Sequence, residues 1–178
     1  MKKILLLFSL SILIYACGSD DDAPIQEPEV LPFDYTQQEK NAEIAWIENY
    51  IKDNGITGME KSESGLFYRI EKQGDGIEGA KAGVVSIFDK TIIAKTGKVV
   101  DTTDRDRYPN GEPYSLGQGQ QAGLIETIRL LNEGGKATLI IPSFLAIGKR
   151  TDYYGRIEPE TILIREIEFV FIIGANGN

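Results

Sequence analysis

Apolar and polar residues recur with different periods along this chain of 178 residues, and each period predicts a different kind of element. A nearly unbroken apolar run from Ile4 to Ala16 comes first, too short to span a bilayer comfortably. Next, Ile44, Ile47 and Ile51 repeat at helical spacing with Trp46 and Tyr50 beside them. This predicts an amphipathic helix from about Gln37 to Asp53, opened by Thr36 or Asp34 and closed at Gly55. From Gly65 the pattern changes to short β-prone segments: Leu66–Ile70, Val84–Ile93, Val99–Asp101, Lys136–Ile141 and Thr161–Ile173. Gly74-Asp75-Gly76 and Thr96-Gly97 supply turns between them. A single short helix interrupts the strands, about Leu124 to Leu131, with Leu124, Ile128 and Leu131 on one side and Asn132-Glu133-Gly134-Gly135 stopping it. Strands gathered around one short helix predict an antiparallel α+β domain.

The first apolar run follows Lys2 and Lys3, the arrangement of a secretion leader. Its end, Leu13-Ile14-Tyr15-Ala16-Cys17, resembles the bacterial lipobox, which implies that Cys17 is diacylated and becomes the first mature residue. The plainer alternative is an ordinary leader that ends in a cysteine by chance. Gly18-Ser19-Asp20-Asp21-Asp22 and the prolines at 24, 28 and 32 then predict an extended tether, since like charges repel and proline stiffens the chain. That run is similar to the acidic signal of surface-exposed lipoproteins in some Gram-negative bacteria; a solvated linker is the other reading. The organisation expected is a leader over 1–16, a tether over 17–35, a helical extension over 36–64 and a folded domain over 65–174. The location expected is the outer membrane, held by lipid at Cys17, with the periplasmic and cell-surface faces both open.

Composition then narrows the chemistry. There are 19 Lys and Arg against 27 Asp and Glu, a net charge of −8 that becomes more negative once Lys2 and Lys3 leave, so a nucleic-acid partner is not expected. A membrane anchor on so acidic a chain must hold by its acyl chains, and more than one is needed. The chain has no histidine, which removes Ser-His-Asp catalysis, imidazole bases and histidine-bound metals together. Cys17 is its only cysteine, so lipidation leaves no thiol. Asp101, Asp104 and Asp106 do not follow calcium-loop spacing, and no metal or cofactor is expected. Glu166 and Glu168 alternate on one face of the last strand, which reads as a solvated face rather than an acid/base pair. Gly117, Gly119 and Gly123 are one residue too widely spaced for the dinucleotide fingerprint, and Pro113 sits where its strand would be.

Several segments together resemble the FKBP-type peptidyl-prolyl cis-trans isomerases, over Gly65 to about Ile173. They are Gly97-Lys98-Val99-Val100-Asp101-Thr102-Thr103, Tyr114-Ser115-Leu116-Gly117-Gln118-Gly119-Gln120, Gly134-Gly135-Lys136-Ala137 through Ile141-Pro142, Leu145-Ala146-Ile147-Gly148, and Ile157-Glu158-Pro159-Glu160-Thr161. The resemblance implies a curved antiparallel sheet wrapped on a short α-helix, here preceded by the amphipathic helix. It gives the glycine loop a turning role, leading into the helix whose start floors a substrate pocket. It also implies proline-containing polypeptides as partners; the oligomeric state stays open.

Carried over residue by residue, the resemblance places Asp101, Phe88 and Tyr114 at the catalytic positions. It places Val100, Gln121, Leu124, Ile147, Tyr153 and Ile157 around the substrate. The second-strand aromatic falls on Lys90 without gaps or on Phe88 with a small shift, and Phe88 is preferred because a lysine does not suit an apolar wall. Most pocket aromatics are replaced: Val100 stands for a phenylalanine, Leu124 for a tryptophan, Ile147 for a tyrosine and Arg165 for the aromatic of the last strand. Val100, Leu124 and Ile147 could equally fill core, and Asp101 could pair with Arg105 or Arg107. Two functions therefore compete: a lipid-anchored prolyl isomerase or folding factor of low activity, and an inactive scaffold that binds a peptide or glycan, with Tyr153 and Tyr154 as its lip. A third reading makes the helix Gln37–Asp53 a partner contact.

Overall fold

The computed structural model describes residues 33–78, 83–117 and 121–174; the leader, Cys17 and nearly all of the tether lie outside the described residues. Helix α1 (Gln37–Asp53) is followed by strands β1 (Glu60–Lys61), β2 (Phe67–Lys72), β3 (Val84–Ile93), β4 (Val99–Thr102) and β5 (Glu112–Ser115). Helix α2 (Ala122–Leu130), β6 (Gly135–Ile141), a 3₁₀ turn at Ser143–Leu145 and β7 (Leu163–Ile173) complete it. The pairings between strands are antiparallel, in the order β1-β2-β6-β7-β3-β4, with β5 also on β3. The long strand β3 organises this arrangement. One edge pairs with β7 along its length, while the other takes β5 near its start and β4 near its end.

The two faces of the sheet are sorted by strand alternation. On β7, Leu163, Arg165, Ile167 and Phe169 face inward and are buried, whereas Glu166 and Glu168 face the other way. The inner face packs on α2: Leu124, Ile128 and Leu131 are fully buried against Leu66, Val85, Ile87, Leu139, Ile141 and Phe169. Gly123 lets the helix approach this closely, since a Cβ there would stand 2.7 Å from Ile141 Cγ2. Its role is contact rather than the turning expected for the glycine loop, and Gly117 has no left-handed backbone either.

Helix α1 covers part of the outer face. Thr36 caps it in a reciprocal box, its hydroxyl accepting from the Glu39 N–H at 3.2 Å and its own N–H donating to Glu39 Oε2 at 2.6 Å. Ile47 is fully buried against Phe67 and Ile140, with Ile44, Trp46, Tyr50 and Ile51 around it. The isoleucine face is thus turned onto the chain's own sheet, which leaves little of it for a partner. The extension also enters the sheet, because β1 pairs with β2 ahead of Gly65.

Candidate functional site

Five of the residues singled out from sequence meet in one apolar cluster. Leu124 at the start of α2 is fully buried, Ile147 and Ile157 nearly so, and Val100 on β4 and Tyr114 on β5 pack against the same main core. β3 holds both β4 and β5 along one edge, which brings these sequence-distant strands into the core that α2 also joins.

Asp101 lies at the exposed rim of this cluster. Its Oδ1 accepts from the Thr102 N–H at 3.1 Å and faces Arg156 Nη1 at 3.4 Å. Its cation is therefore Arg156 and not Arg105 or Arg107. The same Nη1 donates to the Val100 carbonyl at 3.0 Å, so Arg156 fastens the loop before β7 to β4. Asp152 shapes that loop by accepting N–H groups from Tyr154, Arg156 and Ile157. Burial opposes the Asp152 charge, but these donors outweigh it and hold the carboxyl below its usual range. Tyr153 and Tyr154 project from the loop at 94% and 70% exposure, edge to face with centroids 5.1 Å apart.

Phe88 is not part of the cluster, a correction to the sequence expectation. Strand alternation puts Phe88 and Lys90 on the outer face, where the Arg105 guanidinium lies 3.6 Å from the Phe88 ring centre and Lys90 pairs with Glu166 at 3.2 Å. The inward residue of that pair of candidates is neither; it is Asp89, between them. Phe88, Lys90, Thr102, Lys136, Glu166 and Glu168 line an open groove of about 440 Å³ on the outer face. Its charges neutralise one another, since Glu168 also pairs with Arg105 and Lys136.

Asp89 and Arg165 form the feature that sequence reasoning missed. Arg165 Nε donates to Asp89 Oδ1 at 2.8 Å, with side chains only 7% and 10% exposed, and Arg165 Nη1 donates to Gln121 Oε1 at 2.9 Å. Burial opposes the Arg165 charge, and Asp89 outweighs it, so the guanidinium stays protonated above its usual range. Gln121, expected as a substrate contact through its backbone, thus ties the start of α2 to β7 by its side chain. The signal was available: Arg165 falls among Leu163, Ile167 and Phe169, and Asp89 among Val85, Ile87 and Thr91, one charge of each sign at core-facing positions.

No family model matches the chain. It is 34% identical over 134 residues to a Neisseria meningitidis protein named "Probable FKBP-type peptidyl-prolyl cis-trans isomerase FkpA", covering 74% of this chain and 46% of that protein. It is 33% identical over 127 residues to the FKBP-type 22 kDa peptidyl-prolyl cis-trans isomerase of Escherichia coli, covering 70% of this chain and 58% of the other. The chain spans about half the length of these curated relatives. In three dimensions it is similar to the crystal structure of FkpA from Escherichia coli, with a TM-score of 0.59 and 24% identity, over 76% of this chain and 61% of that one.

Proposed function

We infer, because the chain belongs to the FKBP-type peptidyl-prolyl cis-trans isomerase family, that its domain receives prolyl peptide bonds at the Val100–Tyr114–Ile147 cluster and speeds their rotation. The observation that carries this reading is that Val100, Tyr114, Leu124, Ile147 and Ile157 share one water-poor apolar cluster, with Asp101 following Val100 at its exposed edge. Rotation about the amide faces a barrier of about 18–20 kcal/mol because resonance keeps the bond planar. Resonance also places charge on the carbonyl oxygen, so an apolar surround disfavours the planar state relative to the twisted one. No proton has to move, which suits a chain without histidine. Asp101, half-held by Arg156, contributes a fixed negative charge at the rim.

The activity expected is low, since the Arg165–Asp89 ion pair stands where the resemblance puts the last-strand aromatic and Leu124 offers less contact area than an indole. A lipid on Cys17 would hold the domain at the outer membrane, in keeping with the sequence before it. The test is catalysed cis-trans exchange of a proline tetrapeptide by the full chain. Exchange no faster than in buffer refutes the enzyme, and labelled palmitate that fails to enter the chain, or that still enters Cys17→Ala, refutes the anchor.

One observation favours a second reading, a binding module without turnover. Leu124, Ile147, Ile157 and Arg165 are all at most 6% exposed, while Tyr153 and Tyr154 stand in solvent. On this reading the tyrosine lip takes a peptide or glycan, and the same tetrapeptide binds without faster exchange.

A further inference from the structure

Among the described residues, the Tyr114 hydroxyl is the buried side-chain polar group that has no hydrogen-bond partner. Proteins rarely leave such a group unmatched, because it gives up its water for nothing. The ring is well held: Tyr114 pairs with the fully buried Val85 across the β3–β5 ladder and packs against the main core. The groups that act on its oxygen are the Arg165 guanidinium and the Gln121 backbone N–H, which are donors only, and by its charge the Asp89 carboxylate, whose two oxygens are taken by Arg165 and the Thr91 hydroxyl. None of the three takes the phenolic hydrogen. Burial pushes the phenol above its usual range, outweighing the pull of Arg165, so the hydrogen stays in place.

We propose that the Tyr114 hydroxyl donates a hydrogen bond to a bound prolyl peptide, at the carbonyl oxygen of the proline residue itself. The inference rests on the prolyl-peptide reading above and goes further by naming an atom pair. Proline has no N–H, so its backbone offers acceptors, and a lone O–H matches that need. The carbonyl of the rotating bond is the wrong acceptor: a donor there would strengthen amide resonance and slow rotation. The carbonyl that follows the ring carries no such penalty and fixes the ring's position.

The experiment compares the full chain with its Tyr114→Phe variant, measuring tetrapeptide exchange at increasing peptide concentration, peptide affinity by titration, and thermal melting. The expected result is a KM and a dissociation constant raised about two- to tenfold, the worth of one neutral hydrogen bond, with kcat unchanged. The melting midpoint should stay level or rise, because the variant removes an unmatched group. Unchanged affinity overturns the proposal. So does a change in kcat at constant KM, a rise putting the hydroxyl on the carbonyl of the rotating amide and a fall putting it on that amide's nitrogen, or a lower midpoint, which would give it a structural partner. If the unaltered chain binds without catalysing, the enzymatic reading fails while the affinity ratio still decides the hydroxyl; a chain that does neither removes both.

Discussion

Replacing Arg165 with methionine keeps much of the side chain's length and removes its charge, which strands Asp89 inside the sheet. At 2.8 Å, with an effective dielectric of ~20, the pair's attraction is about 6 kcal/mol. Desolvating the two ions offsets most of that, so the pair adds little net stability over an apolar substitute, yet removal of one partner costs about 3–5 kcal/mol. Asp89 would retain only the Thr91 hydroxyl at 2.8 Å and the backbone around it, and Gln121 would lose its donor. Arg165→Met should therefore lower unfolding free energy by about 3–5 kcal/mol, whereas Asp89→Leu with Arg165→Met should come within about 1 kcal/mol of the parent or exceed it. Trp46, the chain's single tryptophan, sits in the α1–sheet cluster and reports urea unfolding by fluorescence, with far-ultraviolet circular dichroism as a second probe. The gap between single and double variants should persist at high salt, because the pair is buried from screening ions. A single variant as stable as the parent, or a double variant as weak as the single, would refute the argument.

Four further outcomes follow. Burial raises the Glu43 carboxyl, outweighing its bonds to the Ser143 hydroxyl and N–H, so the folded state binds a proton more readily than the unfolded one. Stability should accordingly rise as pH falls through that raised value toward the ordinary carboxyl range, and Glu43→Gln should flatten this limb, read by urea melts across pH. Glu39 runs opposite: Lys149 at 2.7 Å, with Thr36, holds it at about 2, so its contribution is present above the usual carboxyl range and fades only as pH falls toward that value, which carboxyl NMR titration checks. Thr36→Ala removes the α1 cap and should cost about 1 kcal/mol, seen in the Trp46 signal; no change would discount the capping box. Tyr153→Ala with Tyr154→Ala should leave stability within about 0.5 kcal/mol of the parent yet weaken tetrapeptide binding, and an unaltered affinity would remove the lip.

Local chemistry is why so much of the fold could be read along the chain. The Gln37–Asp53 helix carries its own cap and apolar stripe, and the run Val84–Ile93 carries enough β-branched residues to be a strand under any packing. The apolar members of the candidate site were also accessible, because Val100, Leu124, Ile147 and Ile157 occupy recognisable places in ordered motifs. Which face each strand residue takes is a different matter. A shift of one residue exchanges the faces, and β3 contains an irregularity in its pairing with β7 between Ser86 and Ile87. Spacing thus pointed to Lys90 and side-chain character to Phe88, when tertiary pairing turns Asp89 inward to meet Arg165 across a separation of 76 residues. The sequence determined most of the elements, the family and the absence of imidazole chemistry, since those depend on residue identity and neighbours a few positions away, while the short strands β1 and β5 were not legible in it. The tertiary structure alone decided the buried ion pair, the partner of Asp101 and the unmatched Tyr114 hydroxyl, because each depends on which distant groups the folded sheet brings within about 3 Å, the reach of a hydrogen bond.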